Sequence, residues 1–247
     1  MPDSPQPDDA DRRLEGASRS GPRVARPWER CLLTGTPHGI LAGVALPAPG
    51  SEPPEIALQR LHPRERAACA GMAGVRLDQW VGGRLALQHC LRRLRGRRQP
   101  FLRGPGGEVL APRHLSASIS HKRSLAVALL GQASAGALGV DLETLAPERC
   151  HLAPRILGPT ELEAWERLPG ARRWPALLLA FSIKEAAYKA IFPRVLRYVS
   201  FHEAEVLALP DGSASVRVRL QDGPSFEVEA RYLWTGRDLI CTARDPR

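Results

Sequence analysis

The sequence predicts an α+β fold, and three observations carry that reading. Leu77, Trp80, Leu87, Leu91 and Leu94 recur close to a 3.6-residue period, the mark of a helix with one apolar face. Residues 214–220 and 226–232 alternate apolar and polar, the mark of strands with one buried face. Pro210-Asp211-Gly212 and Asp222-Gly223-Pro224 punctuate those strands tightly enough for antiparallel neighbours.

Taken in order, residues 1–27 are rich in Pro, Asp, Arg, Ser and Gly with almost no large apolar side chain, so a disordered tail is expected, with Trp28 as first anchor. Gly39 to Leu46 reads as a strand closed by the Pro47–Pro54 loop, and Pro63 opens a helix carrying Arg64, Glu65 and Arg66. A longer helix follows from Leu77 to about Leu94, then a Gly- and Pro-rich loop over 96–113. Ala117–Ser120, Leu125–Leu130 and Ala137–Leu142 read as strands. Thr160, with Glu163 three residues on, is an expected helix start, and a further helix is expected over Pro175–Ile191, ending before Pro193. The division expected is a first half over 28–134 and a second over 135–247, each with helices on a small, mostly antiparallel sheet.

A chain of 247 residues can bury one large core or two small ones. Its formal charge of +9 favours anionic partners: nucleic acid, acidic membranes, phosphorylated cofactors or acidic proteins. Only three of the 35 basic residues are lysines, Lys122, Lys184 and Lys189. The arginine excess therefore says little, whereas positions that keep a compact ammonium stand out. Five widely spaced cysteines argue against a disulfide framework or zinc site. No stretch approaches the roughly 20 apolar residues of a membrane helix, and no apolar signal core opens the chain, so a cytoplasmic protein is expected.

Chemistry concentrates in four places. In Gly139-Val140-Asp141-Leu142-Glu143, a strand projects Asp141 and Glu143 to one face and Val140 and Leu142 to the other. Adjacent carboxylates repel and call for a cation or a proton; magnesium shared with substrate phosphates fits, as does a solvated acidic edge or an arginine bridge. In Phe181–Lys189, Glu185 and Lys189 lie one helical turn apart, either as a surface salt bridge or as a site. Ser120-His121 can donate to phosphate or satisfy buried partners. Arg84 sits on or beside an apolar stripe, so it pairs with a first-half glutamate or faces a phosphate. The run Arg92, Arg93, Arg95, Arg97, Arg98 and Arg103 lacks interleaved aromatics except Phe101 and reads as a solvated face.

Gly83-Arg84, Ser120-His121, Gly139–Glu143 and Phe181–Lys189, continuing as Ala190-Ile191-Phe192-Pro193, resemble in order and spacing the phosphopantetheinyl transferase superfamily. The likeness spans about residues 60–207 and is strongest to the monomeric, two-halved branch that serves siderophore synthetases such as the enterobactin system. It implies a pseudo-dimer of two α+β halves, joined near Gln132–Gly136, with coenzyme A in the cleft between them. It also implies that Asp141, Glu143 and Glu185 hold magnesium against the diphosphate, and that Lys189, with Lys184, contacts phosphate oxygens. Ser120, His121, Arg84 and Arg76 would bind the nucleotide phosphates. Two departures stand out: Glu108 closes a glycine-rich loop where relatives often carry a basic residue, leaving Arg103 as the nearest substitute, and Lys122 follows His121 where the subgroup has a small residue.

The reaction so implied moves 4′-phosphopantetheine onto a serine of an acidic acyl, peptidyl or aryl carrier protein and releases adenosine 3′,5′-bisphosphate, with Glu185 as general base beside Lys189. Fatty-acid, polyketide and nonribosomal-peptide carriers all stay open. The resemblance implies a monomer with neither nucleic acid nor membrane as partner. Two other readings use the same residues: a metal-dependent nuclease built on Asp141, Glu143, Glu185 and Lys189, and a non-catalytic basic nucleic-acid-binding module.

Overall fold

The computed structural model describes residues 26–48, 55–221 and 223–246. The expected tail lies outside them apart from Arg26 and Pro27, as do most of the Pro47–Pro54 loop and Asp222.

The first half opens with two strands the sequence shows unequally. β1 (Arg30–Thr36), which the pattern left unassigned, pairs antiparallel with β2 (Gly39–Ala45). Gly39 makes the turn possible: its φ is 148°, and a Cβ there would sit 2.5 Å from the Leu130 carbonyl oxygen. Two short helices, α1 (Glu55–Gln59) and α2 (Pro63–Ala68), lead into α3 (Gly74–Arg93), which begins three residues earlier than its apolar stripe suggested. His62 caps α2, and Glu65 reaches back to the His62 N–H at 2.9 Å. The glycine-rich stretch holds a minimal hairpin, β3 (Leu102–Arg103) with β4 (Val109–Leu110), and is followed by β5 (Leu115–His121) and β6 (Leu125–Gln132). The sheet order is β1-β2-β6-β5, and α3 covers it on one face.

A turn over Ala133–Ala135 leads into the second half, which begins with β7 (Ala137–Thr144). Helices α4 (Ala153–Ile156), α5 (Pro159–Glu166) and α6 (Gly170–Val195) come next. α5 starts one residue ahead of Thr160: Pro159 supplies a fixed φ, and Glu161 rather than Glu163 accepts the Gly158 N–H, at 2.9 Å. α6 exceeds the expected 175–191 at both ends and contains Pro175 and Pro193. Each proline removes only one hydrogen bond, and burial of Trp174, Leu177, Ile183, Ala186 and Ile191 outweighs that loss. Four strands close the chain: β8 (Ala204–Ala208), β9 (Ser213–Arg219), β10 (Ser225–Thr235) and β11 (Asp238–Asp245). The second sheet runs β7-β11-β10-β9-β8, wholly antiparallel, under α6. The architecture is thus α+β, two antiparallel sheets each packed with helices, as expected.

The sheets meet along the edge strands β5 and β7 without merging into one. Along β5, Leu115, Ala117 and Ile119 alternate with Ser116, Ser118 and Ser120. Ser116 and Ser118 accept the Leu138 and Val140 N–H groups at 2.9 and 3.0 Å. Hydroxyls therefore satisfy an edge that would otherwise present open donors. Leu41, Val127, Leu129, Leu138, Val140, Leu142 and Ile240 pack between the two sheets. Among the described residues no helix is long and apolar enough to cross a membrane, and the five cysteines are unbridged.

Candidate active site

The junction strand β7 and the helix α6 are brought together by one absent side chain. A Cβ on Gly139 would lie 1.8 Å from the Ala186 carbonyl oxygen, so only glycine lets α6 settle on β7 at that height. Ser182, Glu185 and Lys189 then share the helix face that looks at Asp141 and Glu143, as spacings of three, four and seven residues require.

Asp141, 4% exposed, is held at both oxygens. Ser182 Oγ donates to Oδ2 at 2.9 Å; Lys189 Nζ and Ser120 Oγ donate to Oδ1 at 2.7 and 3.1 Å. Lys189 also donates to the Val140 carbonyl at 3.0 Å. Glu143, next on the same face, is paired with Lys122 at 2.6 Å. Glu185 is half-buried and forms no hydrogen bond or ion pair with the described residues.

The two glutamates sense their acidic neighbours. Desolvation raises the Glu143 pKa, Asp141 adds to the rise, and Lys122 opposes it. Desolvation likewise raises that of Glu185, with Asp141 and Glu143 adding and Lys189 opposing. Two lysines stand against this anionic group, Lys189 on Asp141 and Lys122 on Glu143. His121 ends β5 at the rim, and its pKa is lowered first by desolvation and then by the charges of Lys189, Arg84 and Lys122. Lys189, Arg84 and Lys122, three positive groups singled out by sequence, are thus all felt at His121.

Arg84 approaches His121 from α3. It is 7% exposed, lies 3.5 Å above the Trp80 ring and donates from Nε to the Phe101 carbonyl at 3.2 Å. Burial lowers its pKa to about 10, with Glu65 opposing and Arg103 assisting. It forms no direct ion pair with Glu65, whose carboxylate is spent on the His62 and Phe101 N–H groups and Gln88. Arg76 lies exposed in the first turn of α3.

Lys184 stands apart and corrects the expectation that it faces phosphate. It is 2% exposed, and its three donors go to Glu161 at 2.6 Å and to the Ile156 and Phe201 carbonyls at 2.8 and 3.0 Å. One lysine of α6 thus points into the protein and the other, Lys189, lines the cleft; five residues of separation put them on different faces. Ser182 went unassigned in the sequence, although its spacing of seven from Lys189 is the signal that places both on one face.

Two cavities flank the carboxylates. One, about 760 Å³, runs between the glycine-rich hairpin, β5 and α6, with Glu185 and Lys189 in its wall. The other, about 630 Å³, has Lys122 and Glu143 in its wall, Arg123 and Arg149 at its side, and Trp174 and Phe181 in its lining. Among the described residues no three His, Cys, Asp or Glu side chains are gathered into a ready metal-binding group; Lys122 and Lys189 meet the carboxylates instead.

Comparison with known proteins identifies the family. Residues 137–243 match the 4′-phosphopantetheinyl transferase superfamily, and residues 64–131 match the 4′-phosphopantetheinyl transferase N-terminal domain. The 4′-phosphopantetheinyl transferase Svp of Streptomyces mobaraensis is 30% identical over 179 residues, covering 70% of this chain and 72% of that protein. Enterobactin synthase component D of Salmonella typhimurium is 32% identical over 173 residues, covering 66% and 68%. The 4′-phosphopantetheinyl transferase PptT of Mycobacterium tuberculosis is 28% identical over 146 residues, covering 58% and 63%. The chain belongs to the 4′-phosphopantetheinyl transferase superfamily and transfers 4′-phosphopantetheine from coenzyme A to carrier proteins.

Proposed function

We propose that the transfer takes place at the β7–α6 junction, with Asp141, Glu143 and Glu185 as ligands of a magnesium ion and Lys189 beside the reacting phosphate. The observation that carries this reading is the charge pattern: Asp141, Glu143 and Glu185 on β7 and α6, with Lys189 on Asp141 and Lys122 on Glu143, and two cavities that Glu185 and Glu143 line. A lone anionic cluster would repel coenzyme A, and a lone cationic one would not hold a metal. The alternation suits a hard divalent cation shared between protein oxygens and a diphosphate. The donor chemistry fits that cation, because all three candidate ligands are carboxylates, and desolvation, with the neighbouring carboxylates adding, raises the pKa values of Glu143 and Glu185. When bound, magnesium would offset the negative charge that develops on the diphosphate.

The chain's own residues do the rest. Lys189, tethered by Asp141 and the Val140 carbonyl at 2.7 and 3.0 Å and only loosely by Ser120 at 3.4 Å, would turn that third donor to a phosphate oxygen. Arg84 and His121, with Arg76 from the first turn of α3, bind the nucleotide phosphates. Ser120 orients Asp141 and Lys189, in addition to any phosphate contact. Glu185, which has no hydrogen-bond or ion-pair partner among the described residues, takes the proton from the carrier serine hydroxyl. The serine oxygen then bonds to the phosphorus nearest the pantetheine as that phosphorus releases its bridging oxygen, and adenosine 3′,5′-bisphosphate departs. Two flanking cavities suit a reaction in which two large substrates meet at one point.

The acceptor proposed is an acidic acyl, peptidyl or aryl carrier protein, which the net charge of +9 would attract at low salt. Intact-protein mass spectrometry tests this reading. Apo carrier protein, coenzyme A and magnesium should yield a carrier heavier by one phosphopantetheine arm, and EDTA should abolish the gain. Full turnover in EDTA, or in Asp141→Asn and Glu185→Gln enzyme, would remove the metal and base assignments.

A further inference from the structure

Lys122 is the one lysine the expected machinery leaves without a task. It follows His121 on the turn from β5 to β6, so it belongs to the first half, yet its ammonium lies 2.6 Å from Glu143 on β7 of the second. The pair is sheltered: the Glu143 side chain is 14% exposed and that of Lys122 is 39% exposed. Lys189 sits on Asp141 in the same way. Both carboxylates of the β7 face are therefore already matched by ammonium groups, each from a different element.

We propose that Lys122 is a resident cation that competes with the divalent metal for Glu143 and so sets the metal affinity of the site. This rests on the assignment of Asp141, Glu143 and Glu185 as the metal's ligands. Asp141 and Glu143 project to the same side of a strand and repel each other when nothing lies between them. Lys122 offsets that repulsion and keeps the face formed without metal. A divalent cation reaching Glu143 meets a positive charge a few ångströms away, so the ammonium must withdraw or weaken the binding.

The residue type supports a group that is meant to withdraw. A lysine ammonium is a point charge on a flexible stem, whereas an arginine fork grips a carboxylate with two parallel bonds. In a chain where 32 of 35 basic residues are arginine, this position is lysine. Arginine here would compete too well, and a small residue would not compete at all. A coenzyme diphosphate adds anionic ligands for the metal and an alternative acceptor for Lys122, so metal and coenzyme binding should reinforce each other.

The test is a Mn²⁺ titration of the full-length protein, with free Mn²⁺ read by electron paramagnetic resonance and folding of each variant checked by thermal melting. Loss of the ammonium in Lys122→Ser should tighten Mn²⁺ binding about tenfold. Lys122→Arg should weaken it, and coenzyme A should narrow the spread among the three proteins. If Lys122→Ser does not fold, Lys122→Met removes the charge while keeping the stem and should tighten binding likewise. Unchanged or weaker binding without the ammonium overturns the proposal. Asp141→Asn separates the two layers. If it abolishes Mn²⁺ binding while loss of the Lys122 charge changes nothing, the metal site stands and the role of Lys122 falls. If the protein binds no Mn²⁺, or binds it equally well after Asp141→Asn, both fall together.

Discussion

The two halves place a long helix on an antiparallel sheet and bury charge beneath it, but to different ends. Under α3, Glu65 is fully buried, and its carboxylate ties α2 to the 99–101 segment and to Gln88, while its backbone carbonyl accepts the Trp80 indole N–H at 3.2 Å. That network is closed on itself; Arg84 leans on it over the Trp80 ring, and its charge is felt at His121 at the end of β5. Beneath α6, the acidic residues next to the helix are only partly closed: Asp141 accepts two donors at Oδ1 and one at Oδ2, Glu143 is held by a lysine from the other half, and Glu185 has no hydrogen-bond or ion-pair partner among the described residues. A polar network that is complete stabilises its own half, whereas one left incomplete is arranged for something that comes from outside.

The sharpest way to break that comparison is to change Glu185. Glu185→Gln removes a base without removing a protein contact, so kcat should fall about 10³-fold. The melting temperature should move by no more than a few degrees. Initial rates of carrier modification and a thermal melt read the two quantities on one preparation. A large loss of stability with intact turnover would show that Glu185 belongs to the architecture after all.

The mirror experiment is in the first half. Glu65→Ala leaves the Phe101 and His62 N–H groups and Gln88 without their acceptor and takes away the negative charge closest to Arg84. Stability should drop by about 3 kcal/mol, read as a shift in denaturant midpoint at constant slope. A cost below about 1 kcal/mol would mean the network is not what holds α2 to α3.

These contrasts also explain how far the sequence could be read. Asp141 and Glu143 on one strand face, and Glu185 and Lys189 on one helix face, follow from periodicities of 2 and 3.6, which local sequence states directly. Which face of α6 meets the sheet does not follow from period alone. It is fixed by the close approach at Gly139, and a glycine in a strand does not announce its partner. Lys184 shows the cost: scarcity of lysine marked α6 correctly but could not separate a buried lysine from one in the cleft. The missed strand has a similar cause: the edge strand β1 has a mixed pattern with a register shift between Arg30 and Leu32. The clear alternation of β9 and β10 has no counterpart in β11, which is buried over Leu239–Ala243. Ser116 and Ser118 alternated visibly with Leu115, Ala117 and Ile119, but their partners are backbone N–H groups on another sheet, which no local pattern names.

Within α6 the comparison narrows to its two lysines. Lys184→Met keeps most of the volume and removes three bonds, including the one to Glu161, whose other oxygen accepts the Val206 N–H at 2.9 Å. Stability should fall by about 2 kcal/mol, with turnover per folded molecule near that of the parent. Lys189→Met should show the reverse, and equal effects on turnover would return Lys184 to the phosphate site.

The smallest effect lies where the halves touch away from the carboxylates. His38, in the turn between β1 and β2, is 4% exposed and shares a 2.9 Å hydrogen bond with Thr242 of β11. Desolvation, with Arg244 and Arg231 assisting and Glu229 opposing, lowers its pKa to about 4 from the usual 6.5. The ring is therefore neutral in the fold at neutral pH. Above pH 6.5 it is neutral in both states and contributes nothing to the pH slope. As the pH falls from 6.5 towards 4 the unfolded chain takes up the proton first, so stability declines across that window and levels off below it. His38→Gln keeps a polar partner for Thr242 and cannot titrate. Its melting temperature should consequently fall less steeply than the parent's between pH 6.5 and 4.5, and the two curves should run parallel above pH 7. Parallel curves throughout would mean that the junction opens locally and lets the imidazole protonate without unfolding either half.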